Sequence, residues 1–474
     1  MKQVRKTKIV CTLGPAASTH EVIRDMMLRG MNCARLNFSH GSHGEHLGRA
    51  NIVKELREEL GLQVALLLDT KGPEIRTMLL DENKVRLKRG ERFTLYADGR
   101  EGSASGVSVT YSNLYKELSI GDRVLIDDGL IALEVVEIAG TEIHCKILNG
   151  GLLGTKKSVN IPNVNIDLPA LTEQDERDIA FAAEHEFDLI AASFVRKASD
   201  VLAIRQVLQK NGGEDIRIIA KIENQEGVDN IEEIIEAADA IMVARGDLGV
   251  EIPAEEVPMV QKKLIEKCVQ MGKPVITATQ MLDSMTENPR PTRAEVNDVA
   301  NAVFDGTSCV MLSGETANGK YPVEAVATMA RIVERAESAH EYTYVPSVEP
   351  QEGKIIISDA ITQAACKTAA LVNADAIITI TTTGETARLI SRFRPDCPII
   401  AVAPEERVVR QLNISWGIVP CHGDNAEAAD VLFEIGRTRA KEIGMVEKGD
   451  TIVIVSGIPG GVSGTTNLIK AEKV

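Results

Sequence analysis

Eight short apolar segments recur along this chain, and each of them ends in polar or charged residues. The segments are IVCTLG from Ile9, CARLNFSH from Cys33, VALLLDTKG from Val64, LIAASFV from Leu189, IIAKIEN from Ile218, IMVARGDLG from Ile241, VITATQM from Val275 and CVMLSGET from Cys309. Helix-like stretches separate most of them. Alternation of strand and helix, with polar chemistry at the strand C-termini, is typical of a (β/α)8 TIM barrel. Because these strand ends meet at one mouth, residues far apart in the sequence become neighbours there.

Two other parts of the chain follow different patterns. Residues 73–167 contain short β-branched runs and turn signals such as Asp127-Asp128-Gly129, which predicts a small β-barrel inserted after the third strand of the TIM barrel. An insertion at the mouth can act as a lid. Residues 345–474 alternate helices with the strands AIITITT, PIIAVAP and TIVIVSG, which predicts a doubly wound α/β domain. The TIM barrel would then comprise residues 1–72 and 168–344.

Composition and cysteine spacing exclude several classes of protein. The chain has 69 Asp and Glu against 53 Lys and Arg, and the resulting charge of −16 disfavours nucleic-acid binding. No apolar run reaches the roughly 18 residues that a membrane helix needs, and the N-terminus lacks the apolar centre of a signal peptide. The eight cysteines form no CxxC pair, which favours buried thiols over disulfides. We therefore expect a cytoplasmic protein without a membrane or nucleic-acid partner.

The polar residues at the strand ends form pairs two positions apart, and residues at i and i+2 of a strand share a face. The sets are Arg35 with Asn37 and Ser39, Lys221 with Glu223, Arg245 with Asp247, Thr277 with Thr279, and Ser313 with Glu315. A single pair, Lys221–Glu223 or Arg245–Asp247, could be an ion pair at the barrel rim. Burying charges is costly unless they are paired or metal-bound, so the whole set favours a functional site at the mouth.

The residue types suit a phosphorylated acid. Glu223 and Asp247 offer the oxygen ligands that Mg²⁺ prefers, and Lys221 lies where its amine can stabilise a phosphoryl group in transit. The backbone amides of residues 245–247 could receive a carboxylate, since they lead into a helix. Arg35 and Arg76 supply planar donors for phosphate. A further group of oxygens suits a large monovalent cation: Asn37, Ser39, Asp69 and Thr70.

Several longer motifs resemble those of pyruvate kinases. They are TKIVCTLGPAAST, ARLNFSHG, LLDTKGPEIRT, IIAKIENQEGV, VARGDLGVE, ITATQML and MLSGETA, and the resemblance extends over all three predicted domains. The resemblance is to pyruvate kinases of the bacterial type that have no extra C-terminal domain. It implies conversion of phosphoenolpyruvate and ADP to pyruvate and ATP, the last step of glycolysis, with Mg²⁺ or Mn²⁺ and K⁺ as cofactors. A homotetramer is the usual assembly of this family.

The resemblance also implies residue roles. Lys221 would stabilise phosphoryl transfer, Thr279 would lie where the enolate is protonated, and Glu74 would indicate dependence on K⁺. Catalytic residues would be Lys221, Thr279, Arg35 and Arg76, and Mg²⁺ ligands Glu223 and Asp247. Substrate-binding residues would be Arg35, Lys221, Ala244, Arg245, Gly246, Asp247, Thr279 and Ser313. Nucleotide-binding residues would be Asn37, His40, Arg76 and Lys157, and K⁺ ligands Asn37, Ser39, Asp69 and Thr70.

The threonine-rich turn in TITTTGETARLI allows two interpretations. Thr382 and Glu385 fit a capping box that begins a helix. The turn could also bind the phosphate of an allosteric effector, together with the glycine-rich stretch from Ser456. The effector-binding residues would be Thr381, Thr382, Thr383, Gly384 and Thr386. The turn lacks a lysine or arginine, which favours a sugar monophosphate or a nucleotide such as ribose 5-phosphate, glucose 6-phosphate or AMP.

Some alternatives stay open at this point. His40, His43 and His46 have the spacing of a metal cluster, but we expect His40 to meet the nucleotide and the other two to be solvent-facing or to begin a helix. Lys156 and Lys157 could be a solvated pair. The whole chain could instead be a Mg²⁺-dependent aldolase or lyase of pyruvate or phosphoenolpyruvate, or a non-catalytic protein that binds metabolites through its C-terminal domain.

Overall fold

The computed structural model describes residues 4–339, 356–460 and 464–474. The elements before the insertion are β1 (Lys8–Thr12), α1 (His20–Leu28), β2 (Cys33–Asn37), α2 (His43–Leu60) and β3 (Ala65–Asp69). Those of the insertion are β4 (Lys84–Arg86), β5 (Arg92–Tyr96), β6 (Gly106–Ser108), β7 (Arg123–Ile126), β8 (Ile131–Ala139), β9 (Glu142–Asn149), β10 (Leu152–Gly154) and β11 (Val159–Asn160).

Helices and strands then alternate. They are α3 (Glu173–Glu184), β12 (Leu189–Ala192), α4 (Ala198–Lys210), β13 (Arg217–Ile222), α5 (Gln225–Asp229), α6 (Ile231–Ala237), β14 (Ala240–Ala244), α7 (Arg245–Glu251), α8 (Val257–Gln270), β15 (Val275–Ala278), α9 (Arg293–Phe304), β16 (Cys309–Leu312), α10 (Gly314–Ala317) and α11 (Pro322–Ala339). The C-terminal elements are α12 (Ile357–Leu371), β17 (Ala376–Ile380), α13 (Glu385–Ser391), β18 (Ile399–Ala403), α14 (Glu406–Gln411), β19 (Ile418–His422), α15 (Ala429–Glu442), β20 (Thr451–Gly457) and β21 (Thr466–Lys473).

The strands of the TIM barrel are the eight apolar segments identified from the sequence. Within the described residues they close in the order β1-β16-β15-β14-β13-β12-β3-β2, and every pair is parallel. Alternate side chains fill the interior, among them Val10, Leu67 and Ile219. The intervening ones, such as Leu66 and Ile218, pack against the surrounding helices. The predicted barrel is therefore confirmed.

Local sequence signals fix where several barrel helices begin. Ser42 Oγ accepts the backbone N–H of Glu45, and the Glu45 carboxylate accepts that of Ser42, so the two residues form a capping box at the start of α2. Thr172 with Asp175, and Thr292 with Glu295, make the same arrangement before α3 and α9. These caps satisfy amides that the first helical turn leaves without partners.

The insertion folds around its own apolar core. Six strands form a mixed sheet in the order β11-β7-β8-β9-β5-β6, and β10 pairs with β4. Bridges from Arg76 to Ser158 and from Thr77 to Val109 connect residues beside the two edge strands, β11 and β6. The insertion is therefore a β domain built on a mixed sheet, with bridges to residues 76–77 beside both of its edges. The interior is apolar, with Phe93 and Leu95 fully buried.

The C-terminal domain is a doubly wound sheet, as predicted. Its strand order is β19-β18-β17-β20-β21, with β21 antiparallel to its neighbour, and separate apolar clusters cover the two faces. Strands β19 and β21 were not predicted from the sequence. The predicted boundary at 344–345, the linker VPSVEPQEGK and the end of the last barrel helix beyond Ala339 lie outside the described residues.

This domain closes the end of the TIM barrel opposite the mouth. Ile414 belongs to the cluster inside the barrel, and its carbonyl accepts a hydrogen bond from Cys309 Sγ at 3.0 Å. Lys8 Nζ donates to the carbonyl of Ile418 at 2.6 Å. The buried carboxylate of Asp188 binds Arg57 from the barrel at 2.9 Å and Arg410 from the C-terminal domain at 2.7 Å. Within the described residues, no helix is both long and apolar enough to cross a bilayer.

Candidate active site

The amine of Lys221 lies at the centre of the mouth. Lys221 follows the inward-facing Ile219 on β13, and its side chain is about nine-tenths buried. Its Nζ is 2.7 Å from Ser193 Oγ, 2.9 Å from Glu223 Oε1 and 3.2 Å from Asp69 Oδ1. Burial by itself would lower the pKa of Lys221, but the two carboxylates outweigh it and raise the pKa above its ordinary value. The amine is therefore positively charged at neutral pH.

Glu223 and Asp247 form an acidic pair beside this amine. Glu223 Oε2 accepts the backbone N–H of Phe194 at 2.6 Å, whereas Oε1 is buried and has no hydrogen bond of good geometry. Burial raises the pKa of Glu223 to about 7; Lys221 opposes the rise and Asp247 adds to it. Among the described residues, no group of three or more His, Cys, Asp or Glu is arranged as a metal site. Two carboxylates offer the oxygen ligands that fit a divalent cation, which would take its other ligands from water and substrate.

Arg35 and Asp69 form the opposite wall of the mouth. Arg35 Nε is 2.6 Å from Asp69 Oδ2, and Nη1 donates to Thr12 Oγ1 at 2.8 Å. Asp69 is fully buried, which would raise its pKa, but Arg35 and Lys221 outweigh burial and hold the pKa below its usual value. The carboxylate thus contacts two cations, one on β2 and one on β13, although β3 and β12 lie between these strands in the barrel.

The four residues predicted for the monovalent cation lie on adjacent strand ends. Asn37 pairs in register with Asp69 across β2 and β3. Asn37 Oδ1 accepts the backbone N–H of Ser39 at 3.1 Å, and Thr70 Oγ1 accepts that of Ser193 at 3.2 Å. The structure therefore brings these oxygens to one side of the mouth.

Thr279 meets the start of α7. Its Oγ1 accepts the backbone N–H of Gly246 at 2.8 Å and donates to the carbonyl of Ala278 at 2.6 Å. Its φ of 70° is rare for a β-branched residue. With this φ the backbone is no longer extended, so the side chain of Thr279 does not follow the alternation of β15. The expectation that Thr277 and Thr279 share a face is therefore wrong. Thr277 points outward and donates to Thr307 Oγ1 at 3.0 Å.

The charged side chain of Arg245 faces away from Asp247. Its guanidinium binds the carboxylate of Asp298 at 2.7 and 2.8 Å and donates to the carbonyl of Thr279 at 2.7 Å. The suggested Arg245–Asp247 ion pair is therefore wrong, because the side chain anchors α7 to α9. Ala244 is the N-cap residue of α7. In the first turn that follows it, the backbone N–H of Gly246 contacts Thr279.

Ser313 and Glu315 do not share the mouth as the i, i+2 pattern predicts. Glu315 is buried, and its carboxylate accepts the backbone N–H groups of Leu282 at 3.0 Å and Ser313 at 2.7 Å. It therefore joins two loops and does not face a ligand. Ser313 Oγ is buried without a hydrogen-bond partner.

The comparison with known proteins matches both parts of this architecture. The family model for the pyruvate kinase barrel domain matches residues 4–326, and that for the pyruvate kinase alpha/beta domain matches residues 359–471. The chain belongs to the pyruvate kinase family. It is a phosphotransferase of glycolysis that moves the phosphoryl group of phosphoenolpyruvate to ADP, giving pyruvate and ATP. The alternatives of an aldolase or lyase and of a non-catalytic protein are thereby set aside.

Individual relatives agree with the family assignment. A pyruvate kinase of Clostridium acetobutylicum is 52% identical over 473 residues, covering 99% of this chain and 100% of that protein. One from Geobacillus stearothermophilus is 51% identical over 472 residues, with 99% of this chain and 80% of that protein covered. The crystal structure of a pyruvate kinase from Cryptosporidium parvum has a TM-score of 0.92 at 41% identity, covering 99% of this chain and 96% of that one.

The residues predicted for the nucleotide lie around the base of the lid. Arg76 Nε is 2.7 Å from Glu74 Oε2, and its Nη1 donates to the carbonyl of Lys156. Lys157 Nζ pairs with Asp127 at 2.9 Å, so the two lysines do not form an isolated solvated pair. His40 is exposed at the turn between β2 and α2. No hydrogen bond or ion pair between described residues joins the side chains of His40, Arg76 and Lys157.

The other two histidines of SHGSHGEH have structural contacts. His43 begins α2, as expected, and its Nε2 lies 2.6 Å from Asp178 Oδ1. His46 is buried, stacks on Phe38 with ring centroids 4.2 Å apart, and hydrogen bonds to the carbonyl of His40. The expectation of a solvent-facing or helix-starting residue is therefore wrong for His46.

The threonine-rich turn of the C-terminal domain is not a capping box. Gly384, with a φ of 80°, is the N-cap of α13, and no side chain caps this helix. The backbone N–H of Gly384 instead donates to Thr381 Oγ1 at 3.0 Å, and Thr386 Oγ1 is 2.6 Å from Thr466 Oγ1. The turn lines a polar cavity with residues of the glycine-rich stretch, and no lysine or arginine is among its described lining residues.

Proposed function

We propose that Lys221, Glu223 and Asp247 form the centre of phosphoryl transfer. The observation that carries this proposal is the buried amine of Lys221, held among Ser193, Asp69 and Glu223 at the barrel mouth. A fixed positive charge in a site with little water stabilises the charge that spreads over the phosphoryl oxygens in the transition state. Glu223 and Asp247 would hold Mg²⁺ or Mn²⁺, which supplies further charge neutralisation when bound.

The remaining mouth residues would position phosphoenolpyruvate. Arg35 would bind its phosphate, and the amides following Ala244, those of Arg245, Gly246 and Asp247, would receive its carboxylate. Thr279 accepts a hydrogen bond from Gly246 and would therefore lie beside the reacting carbons once the carboxylate is bound. Ser313, on the neighbouring strand end, offers a hydroxyl free to bond to substrate.

Protonation of the enolate belongs to the Thr279 side of the site. Lys221 is a poor proton donor because its carboxylate partners hold its pKa high. We therefore assign the proton to a water that Thr279 positions, and the electrostatic role to Lys221.

K⁺ and the nucleotide complete the proposed site. K⁺ would bind Asn37, Ser39, Asp69 and Thr70, whose oxygens lie on adjacent strand ends. ADP would bind Asn37, His40, Arg76 and Lys157 as the lid closes over the mouth, since Arg76 and Lys157 belong to the lid and its base.

The outer parts of the molecule would carry regulation and assembly. Thr381, Thr382, Thr383, Gly384 and Thr386 would bind the phosphate of a sugar monophosphate or a nucleotide, supported by the threonines of this turn that line a polar cavity. Residues 1–72 with 168–344, 73–167 and 345–474 would be the three domains. We further propose a cytoplasmic homotetramer.

The substitution Lys221→Met tests the central proposal. Loss of the fixed charge should reduce phosphoryl transfer by on the order of a thousandfold or more. Exchange of the methyl protons of pyruvate, which needs the divalent metal but no phosphoryl transfer, should stay measurable. Lys210→Met, at the exposed end of α4, is the control and should match the native enzyme in both assays. A Lys221→Met variant with the native rate of ATP formation would refute the assignment.

A further inference from the structure

A second charged cavity lies far from the mouth, between the TIM barrel and the C-terminal domain. Its barrel side is the turn from α8 into β15, and its other side is α13 with the residues that follow it. Four cationic side chains line it: Lys273, Arg388, Arg392 and Arg394. Three serines also line it, and no carboxylate is among its described lining residues. This composition distinguishes it from the threonine-rich effector cavity, whose described lining has no cation.

Three of these cations, Lys273, Arg388 and Arg392, contact two backbone carbonyls and one carboxylate. Lys273 Nζ donates to the carbonyl of Ala238 at 2.7 Å, and Arg388 Nη1 donates to that of Thr383 at 3.3 Å. Neither forms an ion pair with a described residue within 4 Å. Arg392 binds Asp359 through Nη2 at 2.7 Å, but its Nε is buried without a hydrogen-bond partner.

A buried hydroxyl also lacks a partner here. Ser415 is 2% exposed and lines the cavity, and its Oγ makes no hydrogen bond. Leaving a buried polar atom unpaired costs free energy, so native proteins satisfy nearly all of them. Two unsatisfied polar groups in one cationic cavity, Arg392 Nε and Ser415 Oγ, point to a bound anion that accepts from both.

The nearby carboxylates do not neutralise the cavity. Asp239 accepts from Arg205 at 3.0 Å, from Arg217 at 2.9 Å and from the backbone N–H of Ile218. Glu385 is exposed. Burial lowers the pKa of Arg388 to about 10, and the charge of Arg217 adds to this effect. Positive charge is therefore in excess around Lys273 and Arg388.

We propose that this cavity binds a tetrahedral oxyanion, a phosphate group that joins Lys273 of the barrel to Arg388 and Ser415 of the C-terminal domain. Several cationic donors and a hydroxyl that line one cavity suit such a group, since it accepts hydrogen bonds on all its oxygens. The bound anion bridges two domains and stabilises their contact. Because Arg388 also contacts Thr383, the site adjoins the threonine-rich turn without sharing its cavity.

Selenate is a suitable probe, because it is a tetrahedral dianion that anomalous scattering locates directly. In crystals of the full chain soaked in selenate, we expect a selenium peak within hydrogen-bond distance of Lys273 Nζ and Ser415 Oγ. The peak should be absent from Lys273→Gln crystals, while any selenate at the barrel mouth stays as an internal control. An empty cavity in native crystals that hold selenate elsewhere would overturn the proposal, and a peak that persists in the variant would mean an adventitious ion only.

Calorimetry extends the test to solution, with phosphoenolpyruvate present to occupy the mouth. Lys273→Gln and Ser415→Ala should each weaken one binding event for inorganic phosphate, by about tenfold or more for the lysine. Lys448→Gln, an exposed lysine of the same domain, should leave it unchanged. Ribose 5-phosphate distinguishes the source: if its binding weakens in parallel, the site accepts phosphate esters, and if only inorganic phosphate is affected, the site takes the free ion. Unchanged phosphate binding in both cavity variants would contradict the proposal.

Discussion

At the scale of single residues, the mouth depends on keeping one buried amine charged. Removal from water would neutralise a lysine, but Asp69 and Glu223 each lie within 3.2 Å of Lys221 Nζ. The same Asp69 also binds Arg35, so one carboxylate positions both cations expected to meet the phosphate. A permanent charge of this kind suits transition-state stabilisation better than proton transfer.

Ser193 contacts Lys221 but was not among the site residues predicted from the sequence. Its Oγ accepts from Lys221 Nζ at 2.7 Å and donates to the carbonyl of Thr70 at 2.7 Å. We expect Ser193→Ala to lower kcat by about tenfold, because a hydrogen bond to a charged group contributes roughly 1.5–3 kcal/mol, while the KM for ADP changes little. Steady-state kinetics measures both constants. Ser119→Ala, in an exposed turn of the lid, is the control, and a native kcat for Ser193→Ala would argue against a positioning role.

Glu74 predicts activation by K⁺. Its carboxylate pairs with Arg76 at 2.7 Å beside the lid base, close in sequence to the proposed K⁺ ligands Asp69 and Thr70. In Glu74→Lys, the added ammonium should replace the charge of K⁺ and remove the requirement for it. Initial rates in tetramethylammonium buffer, with and without KCl, provide the measurement. Native enzyme that is equally active in both buffers would contradict the prediction.

Strand alternation identified most mouth residues but not all of them. It places Arg35, Lys221 and Glu223 on the inner face, because these residues continue regular strands. It fails at Thr279, where a positive φ reverses the side chain, and at Glu315, which lies beyond the strand in the short helix α10. Alternation holds only while the backbone stays extended.

At the scale of elements, strands that form unbroken apolar runs could be predicted from the sequence, and strands interrupted by polar residues or proline could not. The eight barrel strands are buried on both faces and so appear as unbroken apolar runs. β21 lies at the edge of its sheet, where half-exposed polar residues interrupt the pattern. β19, at the opposite edge, contains Pro420, a residue that argues against an interior strand.

A hydrogen bond links β11 of the lid to α7 of the barrel. Asn160 Nδ2, on β11, donates to Glu251 Oε1, at the end of α7, at 2.7 Å. Because α7 also carries Asp247, this bond ties the lid to the helix that borders the mouth. We expect Asn160→Ala to raise the KM for ADP about threefold to tenfold, in line with the roughly 0.5–1.5 kcal/mol of a typical hydrogen bond, and to leave the melting temperature nearly unchanged.

The control for this prediction lies in the same domain. Asn149 is exposed on β9 and donates only to the carbonyl of Leu130, so Asn149→Ala should leave the KM for ADP at the native value. Equal KM values for the two variants would show that the link to α7 has no part in lid closure.

At the scale of the whole molecule, the C-terminal domain completes the TIM barrel. The sequence reveals two domains of α/β type but not that Ile414 of one enters the interior of the other, since that contact depends on how their surfaces meet. Asp188 shares its carboxylate between Arg57 and Arg410, which adds a buried ionic link across the same boundary. Truncating one partner of such a link leaves a buried charge unpaired.

Ile414→Ala tests how strongly the two domains depend on each other. The side chain is 3% exposed inside the barrel cluster, so its loss should lower the free energy of unfolding by about 2–5 kcal/mol.

Trp416, the single tryptophan of the chain, is buried at this boundary with the guanidinium of Arg394 4.6 Å from its ring centroid. Its fluorescence therefore reports separation of the domains, and circular dichroism reports loss of the helices. If the domains unfold as one unit, both signals should shift to the same lower urea concentration in Ile414→Ala, whereas Ile357→Ala, which is 68% exposed, should leave them in place. A fluorescence transition that moves alone would mean that the barrel is stable without its C-terminal partner.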